Sequence, residues 1–328
     1  VTPAQTTGPA ARPATGPGAA GAPTGALLAA GETMAMVSPL VAEPVEDARA
    51  FRIDAGGAES NVAAHVAALG HPVRWASRLG DDPLGRRIAA VLAGRGIDLR
   101  EVRVDPAHPT GLYVKNPGAG VHYYRAGSAA SCLDPADADA IDLDGVAIVH
   151  VSGITAALTG TAPAFLDRLV DRARAAGIPV SFDVNHRPAL WDAATAGPVL
   201  LALARRADLV FVGRDEAEGL WGAVDADGIR AQLPDAAELV VKDGDVGATH
   251  FDAGGATFVP AHVVDVVEPV GAGDAFAGGY LAARLAGAAP AERLAAGHDR
   301  AALTLLTTGD FPDDERAAEP RRDESELR

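Results

Sequence analysis

The densest candidate chemistry lies at residues 266–287, VVEPVGAGDAFAGGYLAARLAG. A β-branched run leads into Gly271-Ala272-Gly273, and an amphipathic helical pattern follows at once. Such a turn exposes consecutive backbone N–H groups at a helix N-terminus, where the dipole also favours an anion. Gly271, Ala272 and Gly273 are therefore candidates for an anion-binding backbone. Asp274 falls in the first helical turn beside them. A carboxylate there can take the proton from a hydroxyl that attacks a bound phosphoryl group. It can equally cap the helix and do no chemistry. Two other phosphate-binding patterns fail on spacing: the dinucleotide fingerprint needs Gly where Phe276 stands, and a Walker A loop needs a Gly-Lys pair that occurs nowhere in the chain.

The elements that must position this loop are legible as short β-branched runs alternating with Ala-rich helical patterns. Strands are expected at Ala26–Ala30, Val73–Ser77, Ala147–Val151, Pro179–Phe182, Leu209–Val212 and Leu239–Val241. Helices are expected over 59–69, 84–95, 162–176, 194–205, 214–221, 273–286 and 291–306. In the first of these Val62, Val66 and Leu69 share a face, and Gly70 suits the position just past the helix. This alternation predicts an α/β fold with a mostly parallel sheet covered on both faces. Residues 37–55 lack helical periodicity, and Gly111–Lys115 with His122–Ala126 read as a hairpin around Asn116-Pro-Gly-Ala-Gly. Together they are expected to form a small β appendage.

The whole chain bounds the function further. Its 328 residues are 48% hydrophobic and 22% charged, enough for a sizeable core in an ordinary soluble globule. A formal net charge of −16 argues against a nucleic-acid or anionic-membrane surface, which needs a field of Lys and Arg. Only Lys115 and Lys242 are lysines among 28 basic residues, which reads as codon bias. The single Cys132 excludes an internal disulfide and a multi-Cys zinc site, and the nine histidines show no metal-ligand spacing. No apolar run reaches membrane-spanning length. Residues 1–25 carry one charge, Arg12, and lack the layout of a signal peptide; they and the charged segment 311–328 are expected to be disordered tails. The expectation is a cytoplasmic protein.

GAGDAFAGGY resembles the C-terminal signature of the ribokinase-like (PfkB) sugar kinases. The run Gly56-Gly57-Ala58-Glu59-Ser60-Asn61-Val62-Ala63, with Leu69-Gly70 and SRLGDDPLGRRI at 77–88, is similar to that family's N-terminal signature. The resemblance implies a Rossmann-type three-layer α/β/α sandwich over residues 26–310, with a small β-sheet lid from about 37–55 and 110–126. It implies ATP as phosphoryl donor, Mg²⁺ bridging its phosphates, and Asp274 as general base. Thr110-Gly-Leu-Tyr113, Tyr123-Tyr124-Arg125-Ala-Gly-Ser-Ala, His150-Val-Ser-Gly-Ile154-Thr and Asp183-Val-Asn-His-Arg187-Pro-Ala-Leu-Trp191 are similar to strings of the 2-keto-3-deoxygluconate kinases in that family. By that resemblance Gly57, Asn61, Tyr113, Tyr123, Arg125, Ile154 and Arg187 line a sugar-acid pocket, with Glu32 of GETMAMVSP beside it. A sugar acid carries a carboxylate, to which Arg offers a charge-assisted fork.

Bland readings stand beside these. Gly56-Gly57 is also a tight turn, Tyr123 and Arg125 also suit a solvated strand edge, and Arg187 could pair with Asp183 or Asp192 at the surface. Lys242 and Gly244 fit a nucleotide-side loop together with Gly271 and Gly273. Two positions depart from the family pattern. Its Asn-x-x-Glu is here Gly213-Arg-Asp-Glu216, so that only Glu216 carries over as a metal-side residue. Its Asp-Thr-Thr is here Glu268-Pro269-Val270, which leaves a monovalent cation open. Three activities follow: a kinase of 2-keto-3-deoxygluconate giving its 6-phosphate, a neutral-sugar kinase (fructokinase or ribokinase) or nucleoside kinase of the same fold, and a ligand-binding protein without turnover. The partners expected are the sugar or sugar acid, ATP and a second copy in a homo-oligomer.

Overall fold

Every residue of Ala26–Ala30 (β1) is apolar and buried, as in a strand covered on both faces. Successive side chains of a strand point to opposite sides, so Leu27 and Leu28 enter two different cores. A computed structural model describes residues 25–158 and 160–307, and β1 lies inside its nine-stranded sheet. The expected tails fall outside the described residues except for Gly25, as do residues 308–310.

On one side of β1 the sheet continues in parallel through β4 (Val73–Gly80) and β5 (Val102–Asp105). On the other it continues through β8 (Val146–Ser152), β9 (Val180–Asp183), β10 (Leu209–Gly213) and β11 (Glu238–Asp243), again in parallel. Only the edge pair β12 (Gly247–Asp252) and β13 (Gly255–Pro260) turns antiparallel. The core on one face is closed by α1 (Ala58–Ala68), α2 (Pro83–Gly94), α9 (Ala272–Leu285) and α10 (Pro290–Leu305). The other face is covered by α3 (Pro135–Ala140), α4 (Gly153–Ala157), α5 (Ala162–Ala175), α6 (Ala193–Ala204), α7 (Arg214–Trp221) and α8 (Ala226–Gln232). This is a three-layer α/β/α sandwich. No helix among the described residues is long and apolar enough to cross a membrane.

A separate four-stranded sheet runs in the order β3 (Phe51–Gly56), β2 (Met34–Pro39), β6 (Leu112–Asn116) and β7 (Gly120–Tyr124). It is larger than periodicity alone suggests, because β2 starts at Met34 and β3 runs to Gly56. The chain crosses between the two sheets four times, at 31–33, at Gly57, at 106–111 and at 125–129.

Two packing details differ from expectation. Residues 58–66 of α1 are all buried, whereas Leu69 is 43% exposed. The reason is that α1 is sandwiched between the sheet and α9, so it needs no single apolar stripe. A methyl at Gly279 would lie 2.2 Å from the Ala296 carbonyl of α10, and one at Gly278 would lie 2.4 Å from the His65 Cβ, so Gly278 lets α9 close on α1. That approach sets the distance between the residues at the helix N-termini.

Candidate active site

The C-terminal ends of the parallel strands and the small sheet enclose a cleft of about 810 Å³. It is lined by Glu32, Gly57, Asn61, Tyr113, Tyr123, Arg125, Ile154, Arg187, Glu216, Lys242, Gly244, Gly271, Gly273 and Asp274. The structure thus brings together every residue expected at the site from sequence except Ala272, whose N–H is turned to the Pro269 carbonyl at 3.4 Å.

At one end, Gly271 adopts φ +88° and starts α9. L side chains are strained there, which explains glycine at this position. The N–H groups of Gly273 and Asp274 fall in the first turn, where no carbonyl of the helix can accept them. Asp274 is buried, and the Asn61 amide donates to its Oδ2 at 3.0 Å. The Asn185 amide reaches its Oδ1 at 3.5 Å. Burial pushes the Asp274 carboxyl up to about 7, against the Asn61 hydrogen bond and the charge of Arg187; Asp183 raises it further and Lys242 lowers it. A carboxylate with that affinity exchanges protons near neutrality, which suits a general base. A helix cap alone would be exposed and accept from its own first turn; Asp274 does neither.

Beside it lies a buried charge cluster. Lys242 donates to Asp183 Oδ2 at 2.9 Å, and a Cβ at Gly273 would lie 3.7 Å from its Nζ, so the ammonium stands near the helix N-terminus. Burial works against the Lys242 charge, yet Asp183 and Glu216 hold it above its ordinary value. Glu216 accepts from the backbone N–H groups of His186 and Gly213, each at 2.8 Å, and burial raises it above the usual carboxylate range. A Cβ at Gly213 would lie 2.7 Å from Asp215 Oδ1, so Asp215 places an oxygen where the family's Asn side chain would begin. Mg²⁺ is commonly held by one or two carboxylates plus phosphate oxygens and water. Among the described residues no three acidic, His or Cys groups converge, and the pair Glu216 and Asp215 on the cleft wall fits an ion that arrives with a nucleotide.

The two arginines differ. Arg187 is exposed on the cleft wall and forms no ion pair with a described residue; Asp183 is taken by Lys242 and Asp192 caps α6. Arg125 has a side chain 11% exposed, lies over the Tyr123 ring at 5.7 Å, and its Nη2 contacts Glu32 Oε2. Tyr123 and Tyr113 face each other with ring centroids 5.9 Å apart, so this strand face borders the cleft rather than solvent alone.

The chain matches the pfkB family of carbohydrate kinases over residues 26–315. It belongs to that family. It is 34% identical over 313 residues to a 2-dehydro-3-deoxygluconokinase of Thermoproteus tenax, covering 92% of this chain and 94% of the relative. It is 34% identical over 297 residues to a 2-dehydro-3-deoxygalactonokinase of Haloferax volcanii, with 88% and 93% covered. The crystal structure of a 2-dehydro-3-deoxygluconokinase from Thermotoga maritima matches with a TM-score of 0.80 at 26% identity, covering 87% of this chain and 95% of that one. The protein is thus an ATP-dependent carbohydrate kinase with the ribokinase-like fold.

Several residues of this PfkB kinase cleft escape a reading by motif. Asn185 is the only non-glycine with positive φ, at 38°, among the described residues. Asn tolerates that conformation, and its place in Asp183-Val-Asn is the one sequence signal for it. Lys115 and Asp183 also line the cleft. Lys115 faces inward because it alternates with Val114 on β6, a two-residue period that its rarity could have flagged.

Proposed function

We propose that this kinase transfers the γ-phosphoryl group of ATP to a hydroxyl of a 2-keto-3-deoxy sugar acid, namely 2-keto-3-deoxygluconate, giving its 6-phosphate. The observation that carries the reading is the placement of two guanidiniums, Arg125 and Arg187, on the walls of the cleft that holds Asp274. Neutral hexoses have no carboxylate for such a pair to bind. The printed names of two relatives, kinases of 2-dehydro-3-deoxy acids, support the same class.

In this reading Asp274 takes the proton from the attacking hydroxyl, and Asn61 and Asn185 keep its oxygens oriented. The N–H groups of Gly273 and Asp274, with Lys242 beside them, face the oxygens on which charge develops. Gly57, Tyr113, Tyr123 and Ile154 shape the sugar side, and Gly244 borders the nucleotide side. Mg²⁺, when bound, neutralises phosphate oxygens and aligns them for in-line transfer; Glu216 and Asp215 would hold it. Residues 26–310 act as one kinase unit, with the small sheet as a lid that keeps water from competing for the phosphoryl group.

A neutral-sugar reading has one observation in its favour: Arg125 already has Glu32 as a counter-ion. ATP turnover on 2-keto-3-deoxygluconate, 2-keto-3-deoxygalactonate, gluconate, fructose, ribose and adenosine, followed as ADP release, separates the two. Fast turnover of the keto-deoxy acids, with fructose turned over only slowly, is the expected result. A preference for fructose, ribose or adenosine would overturn the carboxylate clamp and leave the kinase standing.

A further inference from the structure

Glu32 occupies an unusual place. Its side chain is 1% exposed, yet it lies on the cleft wall. It belongs to the link 31–33, by which the chain leaves the main sheet for the small one. Its Oε1 accepts from Ser128 Oγ at 2.7 Å, in the link by which the chain returns. A Cβ at Gly111, in a third link, would lie 2.9 Å from the same oxygen. One at Gly57, the fourth, would lie 2.3 Å from the Glu32 carbonyl. All four crossings between the sheets therefore meet at this residue.

Its second oxygen contacts Arg125 Nη2. That contact is one of charge without hydrogen-bond alignment, and Arg125 Nε is also buried with no acceptor among the described residues. A buried guanidinium N–H without an acceptor is costly, and this one belongs to a side chain on the cleft wall. The Nε–Nη2 edge of the fork is thus buried on the Glu32 side, and Nη1 is the nitrogen left open for a ligand carboxylate.

We propose that Glu32 is a positioning residue for substrate recognition: it fixes Arg125 to the junction of the four inter-sheet links, so that the guanidinium presents its Nη1 end to the carboxylate of a sugar acid. The inference rests on the sugar-acid reading above. Glu32 acts through Arg125 and does not itself touch substrate, which gives its expected place beside the sugar-acid pocket a role. The fixed guanidinium also ties the anionic end of the substrate to the links on which the lid moves, so a neutral sugar gains nothing from Glu32.

The test is a kinetic cycle on the full chain with wild type, Glu32→Gln, Arg125→Met and the double variant, using 2-keto-3-deoxygluconate and fructose at saturating ATP. Both single variants should raise the KM for the keto acid by about tenfold or more, as expected for breaking a desolvated charge pair. The KM for ATP and the slow turnover of fructose should change by less than about twofold, since neither ATP nor fructose presents a carboxylate to Arg125. The double variant should be no worse than Arg125→Met alone, because coupled residues are non-additive. Additive losses, an unchanged or lowered KM in Glu32→Gln, or an equal loss on fructose would each overturn the proposal. If Arg125→Met leaves the keto-acid KM unaltered, or wild type does not turn over the keto acid, it is the sugar-acid reading that fails. Should Glu32→Gln not fold, Ser128→Ala removes the other hold on Glu32 and should raise the same KM by about threefold, the size expected for one hydrogen bond; an unchanged KM there would count against the proposal.

Discussion

At the α9 end of the cleft Asp274 is gripped by amides from two other parts of the chain, Asn61 on α1 and Asn185 after β9, all buried and mounted on the main sheet and its helices. At the small-sheet end Arg125 has a carboxylate for its neighbour, and that carboxylate sits where the two sheets are joined. Neutral amides orient a carboxylate without cancelling its charge, as a base requires; a carboxylate behind a guanidinium fixes it and offsets its charge. One end is built to keep a proton affinity, the other to keep a geometry. The two should therefore respond differently to substitution, in kcat at the first and in KM at the second.

The largest effect expected is at Asp274, the proposed base. Asp274→Asn should lower kcat by about 10³-fold with little change in KM, since general-base assistance contributes about 10²–10⁴; a normal kcat from the ADP assay would remove Asp274 from the chemistry. Next comes the exposed arginine. Arg187→Met should raise the keto-acid KM by about tenfold or more, the scale of a lost charge-assisted hydrogen bond. Because Arg187 is solvated and Arg125 is not, added salt should weaken substrate binding in the Arg125→Met variant more steeply than in Arg187→Met.

A smaller effect sharpens the role of the amides. Asn61→Ala removes the hydrogen bond that most opposes the burial-raised affinity of Asp274. The acid limb of kcat/KM, expected near pH 7, should then move to higher pH. Asn185→Gly, which keeps the positive φ, should move it the same way by less. A limb that stays in place in both variants would assign it to another group.

The smallest effect is on stability, and its sign is opposite. The folded affinity of Asp274, about 7, lies above the ordinary value of 3.8. The native state therefore binds more protons than the unfolded chain in that interval, and stability falls as pH rises through it. Above pH 7 the ionised buried carboxylate is a liability, so Asp274→Asn should melt about 2–4 °C higher than wild type at pH 8. An equal or lower melting temperature there would contradict the burial account.

What could be read from sequence divides along the same line. The loop 271–274 and the pattern around Asn61 carry local rules of turn and helix, so the end of the cleft that holds Asp274 is legible. That Asn61 meets Asp274, 213 positions away, follows from the contact of α1 with α9, which no local pattern encodes. The pairing of Arg125 with Glu32 is hidden for the same reason. The β-branched runs inside the sheet are visible, whereas β5, β12 and β13 are not, because they form the two flanks of the sheet and polar and small residues dilute the signal there. Leu69 matched the helical period and is exposed all the same, because a helix buried all round does not depend on that period.

The two lysines, Lys115 and Lys242, both line the cleft. Amine-selective reagents consequently find no side-chain target elsewhere in residues 1–328, only the cleft proposed to take the substrates. Lys242 is shielded by burial and by Asp183, while Lys115 is half-buried. Routine coupling of dyes, beads or sensor surfaces through lysine would fall on the working part of the enzyme and leave its outside untouched. By the same token, acylation measured by mass becomes a gauge of occupancy, with no engineered tag required.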